Sequence, residues 1–293
     1  MVARSLSAFA CALFRSSAAL ATPVAVGPAA TPFKLGALRL VALRDMNNVV
    51  PNDASIFGKD AGPAAVAEVL RKAGAPADKV SLSVDALLVE APGRTILIDT
   101  GLGPKVGGAL MRSLALARID PGRITDVLIT HSHGDHVGGL VTAKGDLAFP
   151  NATIRLSSVE WTWMRNKPEN AQLAKAIAPK VKAFAPGAIV APGIRSVSIP
   201  GHTPGQVGYE ISSNGQRLLD IGDTAHSSVV SLARPDWING YDADSAKGRA
   251  SREAQLARLA ASHERIFAPH FPFPGVGTIA KSGSGYAWRP AKL

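Results

Sequence analysis

Short apolar runs, separated by turns rich in glycine and proline, recur along most of this chain, and they alternate with longer stretches of helical period. Branched runs bounded by turn residues predict strands over 35–44, 82–90, 95–99, 125–130, 153–157, 194–199, 207–211 and 217–222. Helical spacing of apolar positions predicts helices over 63–73, 104–118, 158–184 and 246–262. Strands and helices thus alternate in groups. That order suits an α/β (α+β) fold of two sheets packed face to face with helices outside, a four-layer αββα sandwich.

The polar residues that interrupt this pattern carry the chemistry. Val127, Leu128 and Ile129 form a buried-strand run, and within the next seven positions follow His131, His133, Asp135 and His136. In an extended segment, residues i and i+2 project to one side, so the imidazoles of His131 and His133 can face one cation. Gly134 lets the chain turn, and Asp135 and His136 then point elsewhere, placed to hold a second ion. Later runs end the same way. His202 lies in the turn Gly201 to Gly205 after the run Val197 to Ile199, Asp223 follows Leu218 to Ile221, and His270 follows Ile266 to Ala268. The glycines around His202 are expected to allow close backbone approach to an ion. Asp223 can bridge two cations with its two oxygens. Singly, each is an ordinary polar residue at a strand end. Together they make five histidines and two aspartates, a set with a metal site's chemistry.

The order His-x-His-x-Asp-His, Gly-His-Thr-Pro-Gly, Gly-Asp and a distal His resembles the metallo-β-lactamase superfamily, from about residue 35 onward. Leu147 to Ala152, Val190 to Ile194, Phe271 to Gly277 and Gly285 to Trp288 look most like its methyl parathion hydrolase and lactonase group. The resemblance implies a first zinc on His131, His133 and His202, a second on Asp135, His136 and His270, and Asp223 between them. Asp135 and Asp223 are the catalytic candidates. Two departures from the parathion hydrolase pattern, Thr278 for a histidine and Met164 for a tryptophan, weigh against phosphotriesters as the main substrate.

Such a pair of Zn2+ ions lowers the pKa of a bridging water to near neutrality and polarises the bond under attack. The expected function is therefore a dinuclear hydrolase that opens lactones or cleaves carboxylic esters, with phosphotriesters as side substrates. The small-molecule pocket is expected to draw on Phe57, Trp161, Trp163, Trp237, Phe271 and Phe273. Trp161 and Trp163 cannot share one helical face, so at most one should reach it. His226 reads as a loop histidine bonded to backbone, with a substrate-side donor as the alternative. Alternatives for the whole chain are a β-lactamase, a glyoxalase-type thioesterase, a di-iron oxygen or nitric oxide reductase, and a non-catalytic binding protein. Asp223 argues against the first, and the second and third lack a recognisable glutathione-binding part and a flavin domain.

Composition narrows the setting. Apolar residues make up 46% of 293 positions, enough for a sizeable core in one domain, expected over 31–293. Arg4, the apolar stretch Ser7 to Phe14 and the small residues near Ala21 or Ala30 read 1–30 as a secretory signal, which implies a periplasmic or secreted protein. No apolar run is long enough to span a membrane. The sole cysteine, Cys11, falls inside that signal, so the mature chain has neither disulfides nor thiolate ligands. The charge of +10 is dispersed, without the dense basic runs of a nucleic-acid binder. Relatives of this group imply a homodimer.

Overall fold

A computed structural model describes residues 21–293. Two seven-stranded sheets dominate it. The first contains β1 (Thr22–Val24), β2 (Ala30–Leu35), β3 (Leu38–Pro51), β4 (Lys79–Ala91), β5 (Arg94–Ile98), β6 (Asp126–Leu128) and β7 (Thr153–Arg155). The second contains β8 (Ile189–Ala191), β9 (Ile194–Ser198), β10 (Val207–Ser213), β11 (Gln216–Asp220), β12 (Arg265–Phe267), β13 (Val276–Ser282) and β14 (Gly285–Pro290). Helices are α1 (Pro63–Lys72), α2 (Leu110–Leu116), α3 (Gly134–Val137), α4 (Ser158–Arg165), α5 (Ala171–Ile177), α6 (Val230–Ala233) and α7 (Ser245–Ser262).

Period-two alternation sorts the strand residues into layers. Leu40 and Ala42 of β3 face the second sheet, where they pack with Leu128, Val207, Tyr209, Leu218 and Phe267. Their neighbours Val41 and Leu43 face outward, against Leu110 and Leu114 of α2, Met164 of α4 and Ile177 of α5. In the second sheet Leu218 points inward while Leu219 turns out to meet Leu256 and Leu259 of α7. The αββα order follows from these faces.

Most strands are antiparallel, but β5, β6 and β7 run parallel, as do β11 and β12. Their carboxyl ends therefore finish side by side. Ile98 pairs with Leu128, and Asp220 with Phe267, so the loops beyond β5, β6, β11 and β12 open together on one edge of the sandwich.

Several elements differ from the pattern reading. The strand expected over 35–44 is found from Leu38 as part of β3; its first residue, Leu35, ends β2, because Gly36 at φ +57° turns the chain between the two. The helix expected over 158–184 stops at Arg165, and α5 resumes beyond Pro168, which cannot continue the first hydrogen-bond ladder. The helix over 104–118 shrinks to α2 because Gly107 and Gly108 break it. The strands β8 and β12 escaped the pattern because they are only three residues long, and β14 because it lies on a partly exposed sheet edge; β13, paired between β12 and β14, was also missed. Of the proposed signal segment, 1–20 lies outside the described residues; Thr22–Val24 pairs with β3 and Ala30 begins β2, so its described part belongs to the first sheet.

Leu128 joins the inter-sheet core immediately before the histidine loop. Leu128→Ala in the metal-free protein is expected to cost about 2–5 kcal/mol in urea unfolding. An unchanged midpoint would mean that this layer is not packed as described.

Candidate metal centre

All seven predicted ligands converge on that open edge. His131 and His133 leave β6, with Asp135 and His136 following on α3, where His133 stands at the amino end. Asp223 and His270 lie just beyond the paired ends of β11 and β12. His202 comes from the loop between β9 and β10.

Two groups form. His131, His133, His202 and Asp223 make one, and Asp135, His136 and His270 the other, each with ligand atoms within 4.8 Å of one another. In the first, His133 Nδ1 lies 3.1 Å from His131 Nε2 and 2.8 Å from His202 Nε2, and the last two are 3.1 Å apart. Asp223 joins them. Its Oδ2 is 3.2 Å from His202 Nε2 and 3.6 Å from His131 Nε2, while its Oδ1 is 3.1 Å from His136 Nε2 and 3.0 Å from His270 Nε2.

Each carboxylate oxygen thus faces a different set of nitrogens. Tetrahedral bonds near 2.0–2.1 Å give ligand–ligand edges of about 3.3 Å, close to these spacings. Well-formed hydrogen bonds do not account for them: burial opposes the charge on His136 and His270 and Asp223 raises it, yet Asp223 Oδ1, His136 Nε2 and His270 Nε2 are buried and none meets a partner at hydrogen-bonding angles. Neutral imidazole and carboxylate, without thiolate, are donors that suit zinc. The residues present fit two divalent cations.

Outer partners set which nitrogen faces inward. His136 Nδ1 donates to Asp99 Oδ2 at 2.8 Å, and His270 Nδ1 donates to the Ser83 carbonyl at 2.7 Å. His202 Nδ1 donates to Asp242 Oδ1 at 3.2 Å. Thr130 Oγ1 donates to Asp99, leaving its lone pairs for His131 Nδ1 at 3.1 Å. In the neutral form that a cation requires, each of these rings presents a bare Nε2. Asp99 sits at φ +60°, a conformation held by the bonds it accepts from the Thr130 amide and hydroxyl.

Glu160 holds two ligand loops at once. Its Oε1 accepts from the Ser132 amide and hydroxyl, and its Oε2 from the Thr203 hydroxyl and the Gly205 amide. The carboxylate is fully buried, so each of these donors would be costly to leave unpaired. The glycines flanking His202 serve packing rather than approach to an ion. A Cβ on Gly205 would stand 2.1 Å from the Glu160 amide, and one on Gly201 2.2 Å from that of Gly248 on α7.

Electrostatics follow from this crowding. Burial opposes ionisation of Asp223, yet the surrounding imidazoles, His136 and His270 foremost, hold its carboxyl well below the usual range. Burial and the neighbouring His202 push His133 down to about 3. Burial opposes the charge on His202 too, but Asp223 and Asp242 raise it to about 9. In the metal-free protein, therefore, the proton between these two rings belongs to His202.

The predicted pocket residues separate. Trp163 stands at the centre, its ring 5.8 Å from that of His133 with Lys167 Nζ 4.6 Å above it. Trp161 turns into the helix–sheet core, beneath the Arg165 guanidinium. Phe57 and Trp237 belong to a core under α1, and Phe271 is fully buried against Trp288, so these three are packing residues and not a pocket wall. Phe273 packs on the inter-sheet core and carries the Arg44 guanidinium at 4.4 Å. Met164 is buried in the core under α4, and Thr278 lies within β13, so neither departure alters the ligand set. His226 is buried beside Asp223, bonded to the Asn239 side chain and not to backbone.

Several contributors were not read from the sequence. Asp99 was legible in principle, since it ends the run Ile96 to Ile98 as Asp223 ends its own. Glu160, Asn239, Asp242 and Arg252 gave no comparable signal.

The profile of the metallo-beta-lactamase superfamily matches residues 81–270. The chain belongs to this superfamily. Among solved structures, the metallo-beta-lactamase fold here is similar to AidC, a dizinc quorum-quenching lactonase in complex with the product N-hexanoyl-L-homoserine. The identity is 30%, with a TM-score of 0.86, covering 91% of this chain and 98% of that one. It is similar also to the hydrolase AbOPH of the beta-lactamase superfamily, 30% identical at TM-score 0.83, over 92% and 99% of the two chains. YobT, an uncharacterised protein of Bacillus subtilis, is 24% identical over 59% of this chain and 77% of its own.

Two outcomes follow. Glu160→Ala is expected to lower the zinc bound per chain by loosening the His131–His133 and His202 loops together; metal analysis after dialysis checks this, and full occupancy would contradict the clamp. Loading the metal-free protein at pH 7 should release protons, because His202 holds one up to about pH 9. Metal affinity should accordingly rise with pH up to that value, as titration in an indicator-buffered solution would record.

Proposed function

We propose that this protein is a dinuclear zinc hydrolase that opens lactones or cleaves carboxylic esters, with phosphotriesters as secondary substrates. The observation that carries the reading is the placement of the two Asp223 oxygens, one toward each nitrogen cluster. When bound, the two cations supply a hydroxide nucleophile near neutral pH and polarise the oxygen of the bond under attack.

The chain's own residues supply position. Asp223 sets how far apart the two ligand groups lie, and Asp99, Asp242 and the Ser83 carbonyl lock the ring orientations. Asp135 is the more exposed of the two carboxylates and lies 3.6 Å from His270, on the side open to substrate. The Trp163 face beside His133 offers an apolar wall that suits an uncharged substrate.

AidC, the dizinc lactonase that matches over nearly the whole chain, supports the lactone reading. A β-lactamase is disfavoured by the bridging position of Asp223. Export to the periplasm or exterior rests on Arg4 and the apolar stretch beyond it, and a homodimer on the character of the parathion hydrolase group. No helix among the described residues is long and apolar enough to cross a membrane.

A panel of an acyl-homoserine lactone, dihydrocoumarin, paraoxon, nitrocefin and a glutathione thioester tests the proposal. Lactone turnover is expected to be fastest, to vanish with a chelator and to return with zinc. Asp223→Ala should abolish it and lower the metal content together. Turnover of nitrocefin alone, or two bound irons with an absorbing chromophore in protein purified without added metal, would replace the proposal.

A further inference from the structure

The loop 235–242 supplies no metal ligand, yet it reaches the centre at several points. Asp242 orients His202, Tyr241 lies with its ring 5.3 Å from that of His226, and Asn239 is hydrogen-bonded to His226. The loop is held from both sides. Arg252, buried on α7, donates to the carbonyls of Pro235 and Trp237 at 2.9 and 2.8 Å, and the Gly240 amide donates to the Ile56 carbonyl at 2.7 Å.

His226 presents a choice of roles. By position it forms a third potential ligand group with Asp223 and His270, and its Nε2 is 3.1 Å from Asp223 Oδ2. Its other nitrogen decides between them. Asn239 Oδ1 accepts from the Tyr241 amide at 3.0 Å, which fixes the amide plane and leaves the NH2 group facing His226 Nδ1 at 2.8 Å. An NH2 group can only donate, so Nδ1 must accept, and a neutral ring that accepts at Nδ1 carries its proton on Nε2. The ligand histidines are arranged the opposite way: His136, His202 and His270 donate from Nδ1, so that in the neutral ring Nε2 is left for a cation. The Nε2 of His226 is buried, and the acceptor it faces is Asp223 Oδ2, at 3.1 Å but out of line for a well-formed hydrogen bond.

We infer that Asn239 is a positioning residue that locks His226 with its proton on Nε2, so that the ring meets Asp223 Oδ2, and a substrate oxygen beside it, as a hydrogen-bond donor and not as a metal ligand. A cation at Nε2 would drive the proton to Nδ1, where two donors would face each other. His226 also stacks on His270 at 5.4 Å with the planes 4° apart, which holds the ring in place. The donor role rests on the hydrolase reading; the tautomer does not.

Asn239→Asp is the discriminating variant, because it keeps the shape, leaves one oxygen for the Tyr241 amide and turns the group facing His226 from donor to acceptor. Long-range nitrogen–proton spectra of the zinc-loaded protein should show His226 protonated at Nε2, and at Nδ1 in N239D. The variant should lose at least about tenfold in kcat, or about 1.4 kcal/mol in the barrier, with a smaller change in KM. With cobalt in place of zinc, its visible spectrum should shift as a further nitrogen comes within reach of the metal. A wild-type His226 protonated at Nδ1, or an N239D protein with the reversed tautomer and unaltered kcat, would overturn the inference. The wild-type spectrum decides the tautomer even if N239D fails to fold. It needs no substrate, so a chain inactive across the panel would sink the hydrolase reading while the spectrum judged Asn239 separately.

Discussion

The structure turns on one carboxylate whose two oxygens point at two different sets of imidazole nitrogens. Asp223 is buried, and so are the rings around it. Lone pairs directed at lone pairs across about 3 Å repel unless a cation or a proton lies between them. In the metal-free protein His202 carries the proton that faces His133, and Asp223 draws protons toward His136 and His270 against the opposition of burial, but Asp223 Oδ1, His136 Nε2 and His270 Nε2 stay out of hydrogen-bonding alignment and are only partly relieved. The polypeptide therefore holds these atoms together at a cost that bound cations would offset.

What bears that cost is the surrounding hydrogen bonding. Asp99 gathers Thr130 and His136, Asp242 takes His202, the Ser83 carbonyl takes His270, and Glu160 ties the Ser132 loop to the Thr203–Gly205 loop. These partners come from four separate parts of the chain. Parallel pairing of β5 with β6 and of β11 with β12 brings the contributing strands to a common edge, and the inter-sheet core of Leu40, Leu128, Tyr209 and Leu218 fixes the two edges against each other. The same arrangement separates roles within a crowd of similar groups, since rings that donate from Nδ1 face the cation sites with a lone pair and His226, which accepts there, faces them with a proton.

Much of this was legible beforehand where a local rule applied. The order of strands and helices, the layering and the seven ligand positions all follow from periodicity and from polar residues placed where apolar runs end. Misreadings arose where the rule was ambiguous. Pro168 divided a stretch that looked helical throughout, and the turn at Gly36 moved the start of the strand read from 35 to Leu38. Aromatic residues near the motifs could not be sorted into wall and core: Trp161 and Trp163 are two positions apart, yet α4 sends one into the core and leaves the other beside His133.

The sequence by itself determined the donors, because histidines and aspartates clustered at strand ends announce metal chemistry whatever surrounds them. It determined the layers as well, since alternation of apolar positions is a property of the strand alone. Only the tertiary structure decided that Glu160 clamps two loops, that Phe271 belongs to the core, and that Asn239 sets the protonation of His226. Those assignments depend on contacts between residues far apart along the chain, and orientation at such distances is a matter of packing that no local pattern encodes.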